Sequence, residues 1–102
     1  MRHILVLQWS GSSEADFEEL LRMEGELESS LAESATVDGH DFGSGEMNIF
    51  IETDEPALAF AEAQAVVGSL PRWTHVRVAH REATGNTYTV LWPVGQTEFK
   101  VK

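Results

Sequence analysis

Histidine is the residue type of this chain best suited to metal binding or acid–base chemistry. The chain has four: His3, His40, His75 and His80. No two of them have the spacing of a zinc motif such as H-E-x-x-H. The sheet predicted below places His40 and His80 on outer strands, about 14 Å apart, too far for one ion held at about 2 Å per ligand. A local site of His40, Asp41 and Glu46 across a hairpin is conceivable. Solvation of an edge strand is the commoner role of such residues, so we predict no metal and no cofactor.

Glycines and acids cluster around a predicted hairpin at residues 39–46. The glycines lack the spacing and the following lysine of a phosphate loop, and Ser44 is not in a G-x-S-x-G motif. Asp38, Asp41 and Glu46 could supply a general base only if one of them were desolvated. Hairpin tips are usually exposed to water, so the sequence identifies no catalytic residue.

Composition excludes several classes of function. The 102 residues suit one domain with one core, and 42% hydrophobic with 24% charged residues is typical of a folded protein. Without cysteine there are no disulfides and no thiolate chemistry. No apolar run approaches about 18 residues, so we predict no membrane span. The apolar run at residues 4–7 is too short for a signal peptide, and we expect a cytoplasmic protein.

The net charge of −10 is unevenly distributed. Residues 1–70 contain fifteen acids and two arginines, whereas residues 71–102 contain two acids and five basic residues. The acidic part would repel nucleic acid, and five cations do not make a phosphate-binding face. We therefore predict no nucleic-acid partner. A basic protein is a suitable partner, because complementary fields increase association rates.

Hydrophobic periodicity predicts strands, two helices and a terminal hairpin. The strands are 4–7 with Trp9, 36–42, 46–53 and 74–81; the helices are 13–33 and 56–69; the hairpin strands are 87–92 and 97–101. Serine near residue 13 can cap the first helix, and Phe17, Leu20, Leu21, Leu27 and Leu31 form its apolar stripe. Its outer face is unusually acidic, with eight acids and one arginine between residues 14 and 33.

This order predicts an α+β fold. It is the βαββαβ pattern of a ferredoxin-like split β-α-β sandwich, in which two helices cover one face of an antiparallel sheet, here with an added C-terminal β-hairpin. The first and third strands of that pattern are central, and in this chain they are the most apolar. We expect residues 1–102 to form a single α+β domain, with the hairpin extending the sheet beside the fourth strand.

Two segments carry a resemblance to known proteins. Residues 39–51, together with Thr87-Tyr88-Thr89-Val90-Leu91-Trp92-Pro93, resemble a family of small bacterial proteins of ferredoxin-like α+β type. The resemblance extends over nearly the whole chain in order. It implies the fold, but it brings no activity, because the family has none assigned.

The sheet face opposite the helices is predicted to be too apolar for water. The first strand has no polar residue from Ile4 to Leu7, and the third places Phe50 opposite its other apolar residues. Large apolar patches usually mark an interface or a ligand groove. We expect the terminal hairpin, a second copy or a ligand to cover Phe50 together with Leu5 or Leu7.

These observations favour a non-enzymatic binding or protein-interaction module that uses the open sheet face and the acidic helix side, as an inhibitor or immunity-type protein would. The partner would be a second copy of the chain, as a homodimer, or a basic protein. The alternative is a small dimeric α+β-barrel enzyme of the isomerase or oxygenase type, with a pocket between two sheets. Candidate ligand- or partner-binding residues are His40, Asp41, Glu46, Asn48, Phe50, Arg77 and Tyr88.

Overall fold

The computed structural model describes residues 2–31 and 35–101. In chain order the elements are β1 (His3–Ser10), α1 (Glu14–Ser30), β2 (Ala35–Gly43), β3 (Glu46–Thr53), α2 (Pro56–Val67), a 3₁₀ helix (Pro71–His75), β4 (Arg77–Glu82) and β5 (Thr89–Trp92). The strands form one antiparallel sheet in the order β2-β3-β1-β4-β5. A five-stranded antiparallel sheet with two helices is an α+β fold, consistent with a ferredoxin-like type.

The two most apolar strands lie inside the sheet, as predicted. β1 pairs with β3 from His3 opposite Thr53 to Ser10 opposite Glu46, and its other edge pairs with β4. The more polar β2 lies at one edge. β2 also carries a bulge between Val37 and Gly39, and acids and bulges on an edge strand discourage pairing with other chains.

Both helices cover the same face of the sheet. Alternate residues of β1 and β3 form one apolar core with the buried residues of α1 and α2. The sheet contributes Leu5, Leu7, Trp9, Met47, Ile49, Ile51 and Val78, and the helices contribute Leu20, Met23, Leu27, Ala59, Ala63 and Val67. Burying a Leu or Ile side chain stabilises the fold by about 1.5–3 kcal/mol, so this core holds the helices on the sheet.

A capping box begins α1. The Asp16 amide donates to the Ser13 hydroxyl at 3.0 Å, and the Ser13 amide donates to the Asp16 carboxylate at 3.1 Å. Arg72 of the 3₁₀ helix lies 2.6 Å from Asp16 and 3.0 Å from Glu19. The amides of Ser13 and Ser12, then the Ser13 hydroxyl and Arg72, hold the pKa of Asp16 well below its usual range.

Helix ends and one strand differ from the sequence predictions. The first helix ends at Ser30, not at 33, because Leu31 is already extended, with ψ of 146°; residues 32–34 lie outside the described residues. Met23 replaces Leu21 in the buried stripe of α1, and Leu21 is 42% exposed. The second helix ends at Val67, followed by Gly68, not at residue 69.

The predicted strand 74–81 begins too early. Pro71 starts a 3₁₀ helix that runs to His75, and the strand begins only at Arg77. Proline at the first turn pre-sets the helical φ angle. Trp73, which is 8% exposed, packs into the core and fixes this turn.

The predicted last strand, residues 97–101, is wrong. β5 pairs with β4 as predicted, but residues 93–101 form no strand. Pro93 has no amide hydrogen for a ladder, and Gly95 turns the chain with φ of +92°. The C-terminal segment, residues 96–101, leaves the sheet edge and lies against the face opposite the helices.

Candidate functional site

The face opposite the helices, called here the far face, is built by the other alternate residues of each strand. Pairing places Val6 between Phe50 of β3 and Ala79 of β4, and Gln8 between Asn48 and Arg77. The prediction that Leu5 or Leu7 shares this face with Phe50 is wrong, because both lie in the core beneath the helices. Successive residues of a strand point to opposite faces, so Ile4, Val6 and Gln8 accompany Phe50 instead.

The C-terminal segment covers part of the far face. The Gln8 side-chain amide donates to the Lys100 carbonyl at 2.8 Å, and the Phe99 ring lies 5.0 Å from that of Tyr88. Val6 and Ala79 are completely buried, whereas Phe50 is half-buried. Coverage by the chain itself was one of the predicted outcomes, although a strandless segment rather than a hairpin provides it.

A buried polar cluster lies under this segment. Gln8 Nε2 also donates to Asn48 Oδ1 at 2.9 Å, and Asn48 Nδ2 donates to Glu46 Oε1 at 3.4 Å. Gln8, Asn48 and Glu46 are 2%, 0% and 5% exposed, respectively. Buried polar groups are tolerated when they are hydrogen-bonded, and this network satisfies that condition for Gln8 Nε2 and Asn48 Oδ1.

Six of the seven candidate residues lie on the far face or against the segment that covers it. Glu46, Asn48 and Arg77 belong to the polar cluster or the cavity beside it. Phe50 lies in the apolar row, Asp41 is opposite Asn48 at the sheet edge, and Tyr88 contacts Phe99. His40 alone lies on the helix-covered face, opposite Ile49.

His40 forms a pair with Glu24 of α1. His40 Nδ1 is 3.0 and 3.1 Å from the two carboxylate oxygens of Glu24, and the Phe17 ring lies 6.0 Å from the imidazole. The side chains of His40 and Glu24 are 31% and 12% exposed. An ionised carboxylate only accepts, so with Glu24 charged the proton is on Nδ1. This pair ties the edge strand to α1 and removes His40 from Asp41 and Glu46, so the conceived local metal site does not form.

Sequence reasoning missed Glu24, although a signal was present. Glu24 follows Leu20 by four residues and precedes Leu27 by three, so it stands in the apolar stripe of α1. An acid at such a position needs a partner when it is buried. His40 could have been proposed as the partner of Glu24, because β2 was predicted to follow α1 directly.

A groove runs between the C-terminal half of α1 and the edge strand β2. Its volume is about 480 Å³, and its lining residues are Leu27, Glu28, Leu31, Ala35, Thr36, Val37 and Gly39. We call it the acidic groove, because exposed Glu28 lines it and exposed Asp38 stands in β2 between the lining residues Val37 and Gly39. Apolar Leu27, Ala35 and Val37, which also belong to or pack on the core, form its floor.

Two histidines, His3 of β1 and His80 of β4, are in contact at the end of the sheet where β1 begins. The His3 and His80 rings lie edge to face at 5.3 Å, beside a cavity of about 410 Å³ under the β4–β5 turn. The Nδ1 atoms of both rings are buried and have no hydrogen-bond partner among residues 2–31 and 35–101. Burial, and secondarily the charge of His3, lower the pKa of His80.

Metal and membrane sites were sought in the described part of the chain. It contains no group of three His, Asp or Glu residues close enough to share a metal ion. None of its helices is long and apolar enough to span a bilayer.

Comparison with known proteins adds no relative. No protein-family model, no curated protein and no solved structure matches this chain significantly. The candidate sites therefore rest on their own geometry.

Proposed function

We propose that this protein is a non-enzymatic interaction module that binds a basic protein through the acidic groove and the adjoining outer face of α1. The carrying observation is that exposed Glu28, which lines a groove with an apolar floor, and exposed Asp38, next to two lining residues, have no hydrogen-bond or ion-pair partner among the described residues. In the same proposal the chain is a ferredoxin-like βαββαβ sandwich with an added strand, a member of the small bacterial family it resembles, and a cytoplasmic protein.

Five of the seven acids of α1 divide into two groups; the other two, Glu14 and Glu18, are exposed in its first two turns. Asp16, Glu19 and Glu24 have partners within the protein: the first-turn amides, Arg72 and His40. Glu26 and Glu28 are exposed in the last turns of the helix, where no basic residue is present. The negative end of the helix dipole disfavours acids there by about 0.3–1 kcal/mol each. Because these acids destabilise their own helix, a cationic group of a partner bound beside them would offset that unfavourable interaction.

The groove adds an apolar component to this charge. Leu27, Ala35 and Val37 offer a floor for an aliphatic side chain, and Leu21 stands 42% exposed on the outer face of α1. Interfaces combine an apolar centre with a polar rim. A partner segment with alternating basic and apolar side chains therefore fits this surface. An inhibitor or immunity-type protein that neutralises a basic toxin is a concrete version of the proposal.

Affinity capture from a native lysate at low and high salt tests the proposal. The wild-type chain and a Glu28→Lys/Asp38→Lys variant serve as paired baits. We expect a basic protein on the wild-type bait at low salt only, because exposed charges are screened over about 10 Å at 0.1 M salt. Recovery of no partner at low salt, or equal recovery on both baits, would argue against the acidic groove.

The alternative is a dimeric α+β-barrel enzyme, and the observation that favours it is the buried polar cluster on the far face. In such a dimer the two far faces would meet and enclose a pocket. Residues 96–100 lie over part of this face, beside an open hollow of about 230 Å³ that is lined by the segment and the sheet. The C-terminal segment would have to move aside to admit a second sheet. Light scattering tests this alternative, because the enzyme proposal requires a homodimer and a monomeric wild-type chain would contradict it.

A further inference from the structure

The histidine pair of β1 and β4 is a second cluster of groups that can do chemistry. His3 is opposite Glu82 and Leu5 is opposite His80, so the two histidines occupy diagonal positions on neighbouring antiparallel strands. Both side chains point to the same face as the core residue Leu5, because residues two apart in a strand share a face. Their ring centroids lie 5.3 Å apart. Local spacing, on which the prediction of no metal rested, cannot detect such a pair.

Neither ring is engaged by another polar group. The Nδ1 atoms of His3 and His80 are buried without a hydrogen-bond partner, and neither histidine forms an ion pair within residues 2–31 and 35–101. A neutral imidazole has one nitrogen with a free lone pair. Burial lowers the pKa of His80, and the charge of His3 lowers it further, so the His80 ring is neutral at pH 7. Neutral imidazole is the form that binds metal ions.

Glu82 offers a carboxylate beside these nitrogens. It lies opposite His3 in the ladder and lines the same cavity of about 410 Å³. Its side chain is exposed and has no partner among the described residues. The carboxylate is not close enough to both rings to share an ion with them in this structure, so the exposed side chain must rotate to complete the set. Arg81, the other charged residue of the lining, donates to three main-chain carbonyls of the turn.

We propose that His3, His80 and Glu82 bind a divalent transition-metal ion of the zinc type. Zn²⁺ takes imidazole nitrogens at about 2.0–2.1 Å and carboxylate oxygens at about 2.0–2.2 Å. Two nitrogens and one oxygen leave the fourth tetrahedral position to a water molecule, which reaches the ion through the solvent-open cavity. The site joins β1 to β4, whereas the acidic groove lies at β2, so it does not depend on the proposed function.

NMR titration of the intact chain with zinc chloride tests the proposal. We expect saturable binding of one ion that shifts the ring resonances of His3 and His80 and raises the melting temperature, because a ligand of the folded state stabilises it. His3→Gln and His80→Gln should bind Zn²⁺ at least about tenfold more weakly, since each removes a nitrogen ligand. The control His75→Gln, at an exposed position of the 3₁₀ helix, should bind it like the wild type. Binding that leaves the His3 and His80 resonances unshifted, or that His80→Gln does not weaken, would overturn the proposal.

A Glu82→Gln variant provides a second test that leaves the buried part of the fold intact, because Glu82 is exposed. We expect it to bind Zn²⁺ at least about threefold more weakly, since it removes the oxygen ligand. Glu98→Gln is the matched control, because Glu98 is also exposed and lies on the far face, and it should bind Zn²⁺ like the wild type. Equal affinities of Glu82→Gln and the wild type would contradict the site. The wild-type resonances and these two variants decide the matter if a histidine variant does not fold.

Discussion

The Gln8 side-chain amide joins β1, the middle strand of the sheet, to the C-terminal segment, donating to the Lys100 carbonyl at 2.8 Å across 92 residues of sequence. The same nitrogen donates to Asn48 Oδ1 at 2.9 Å. One amide group thus holds both the polar cluster and the segment above it. The protein's own chain therefore covers the part of the far face around Gln8.

Replacement of Gln8 tests this linkage. We expect Gln8→Ala to lower the free energy of unfolding by about 1–3 kcal/mol, because it leaves the buried Asn48 oxygen without a donor. Amide hydrogen exchange at residues 96–101 should also accelerate. Gln64→Ala, at an exposed position of α2, is the control and should change stability little. A Gln8→Ala variant with wild-type stability and exchange would show that the segment is held by other contacts.

Phe50 reports on what covers the far face. We expect Phe50→Asp to lower stability by about 1–3 kcal/mol, because it places a charge beside buried Val6. Phe50→Leu should be milder. Light scattering should give the mass of one chain, 11.3 kDa, for the wild type and both variants. A wild-type dimer that Phe50→Asp converts to a folded monomer would instead assign the face to a second copy.

The Glu24–His40 pair should couple energetically. A double-mutant cycle with Glu24→Ala and His40→Ala should give a coupling energy of about 1 kcal/mol, since the two side chains, 12% and 31% exposed, are partly shielded from water. The Arg2–Glu52 ion pair is a matched control: its atoms are 2.9 Å apart, but its side chains are 50% and 37% exposed. Exposed pairs contribute about 0–1 kcal/mol, so its coupling should be smaller. Equal couplings would show that burial does not strengthen the pair.

His80 should make stability depend on pH. Its pKa is lowered from 6.5, chiefly by burial and then by His3, so the folded protein binds fewer protons than the unfolded chain as the pH falls below 6.5. Stability should be complete above that pH and decline as the pH falls toward the lowered pKa. Urea unfolding of His80→Gln should show a weaker decline than the wild type, whereas exposed His75→Gln should not. An identical decline in His80→Gln and the wild type would assign the effect to other groups.

Much of the fold could be predicted from local patterns. The apolar runs of β1 and β3 correctly indicated inside strands, and the acids and histidine of β2 correctly indicated an edge. The prediction of which β1 residues face the helices was wrong. Residues 4–7 are all apolar, so their sequence does not distinguish the two faces of the sheet. Phe50 was assigned correctly because polar Asn48 and the alternating apolar residues of β3 fix its face.

The sites were less predictable, because they depend on contacts between distant residues. Residues 97–101 have a strand-like composition, yet they pair with no strand. The hydrogen bond between Gln8 and Lys100 that holds them joins residues far apart in sequence, so local patterns do not predict it. The candidates Glu46, Asn48 and Arg77 were identified individually as polar strand residues. Their convergence with Gln8 became apparent only from the register of three strands.

Charge reversal tests most directly whether the acidic groove binds a basic segment. The measurement is the affinity of a synthetic peptide with alternating lysine and valine for three proteins: the wild type, Glu28→Lys/Asp38→Lys, and Glu82→Lys/Glu98→Lys. The two variants change the net charge equally, but Glu82 ends β4, about three strand spacings or 14 Å from β2, and Glu98 lies on the far face. We predict that the groove variant binds at least about tenfold more weakly and that the control variant binds within about threefold of the wild type. Equal weakening by both variants would contradict the account, because net charge rather than the acidic groove would then determine binding.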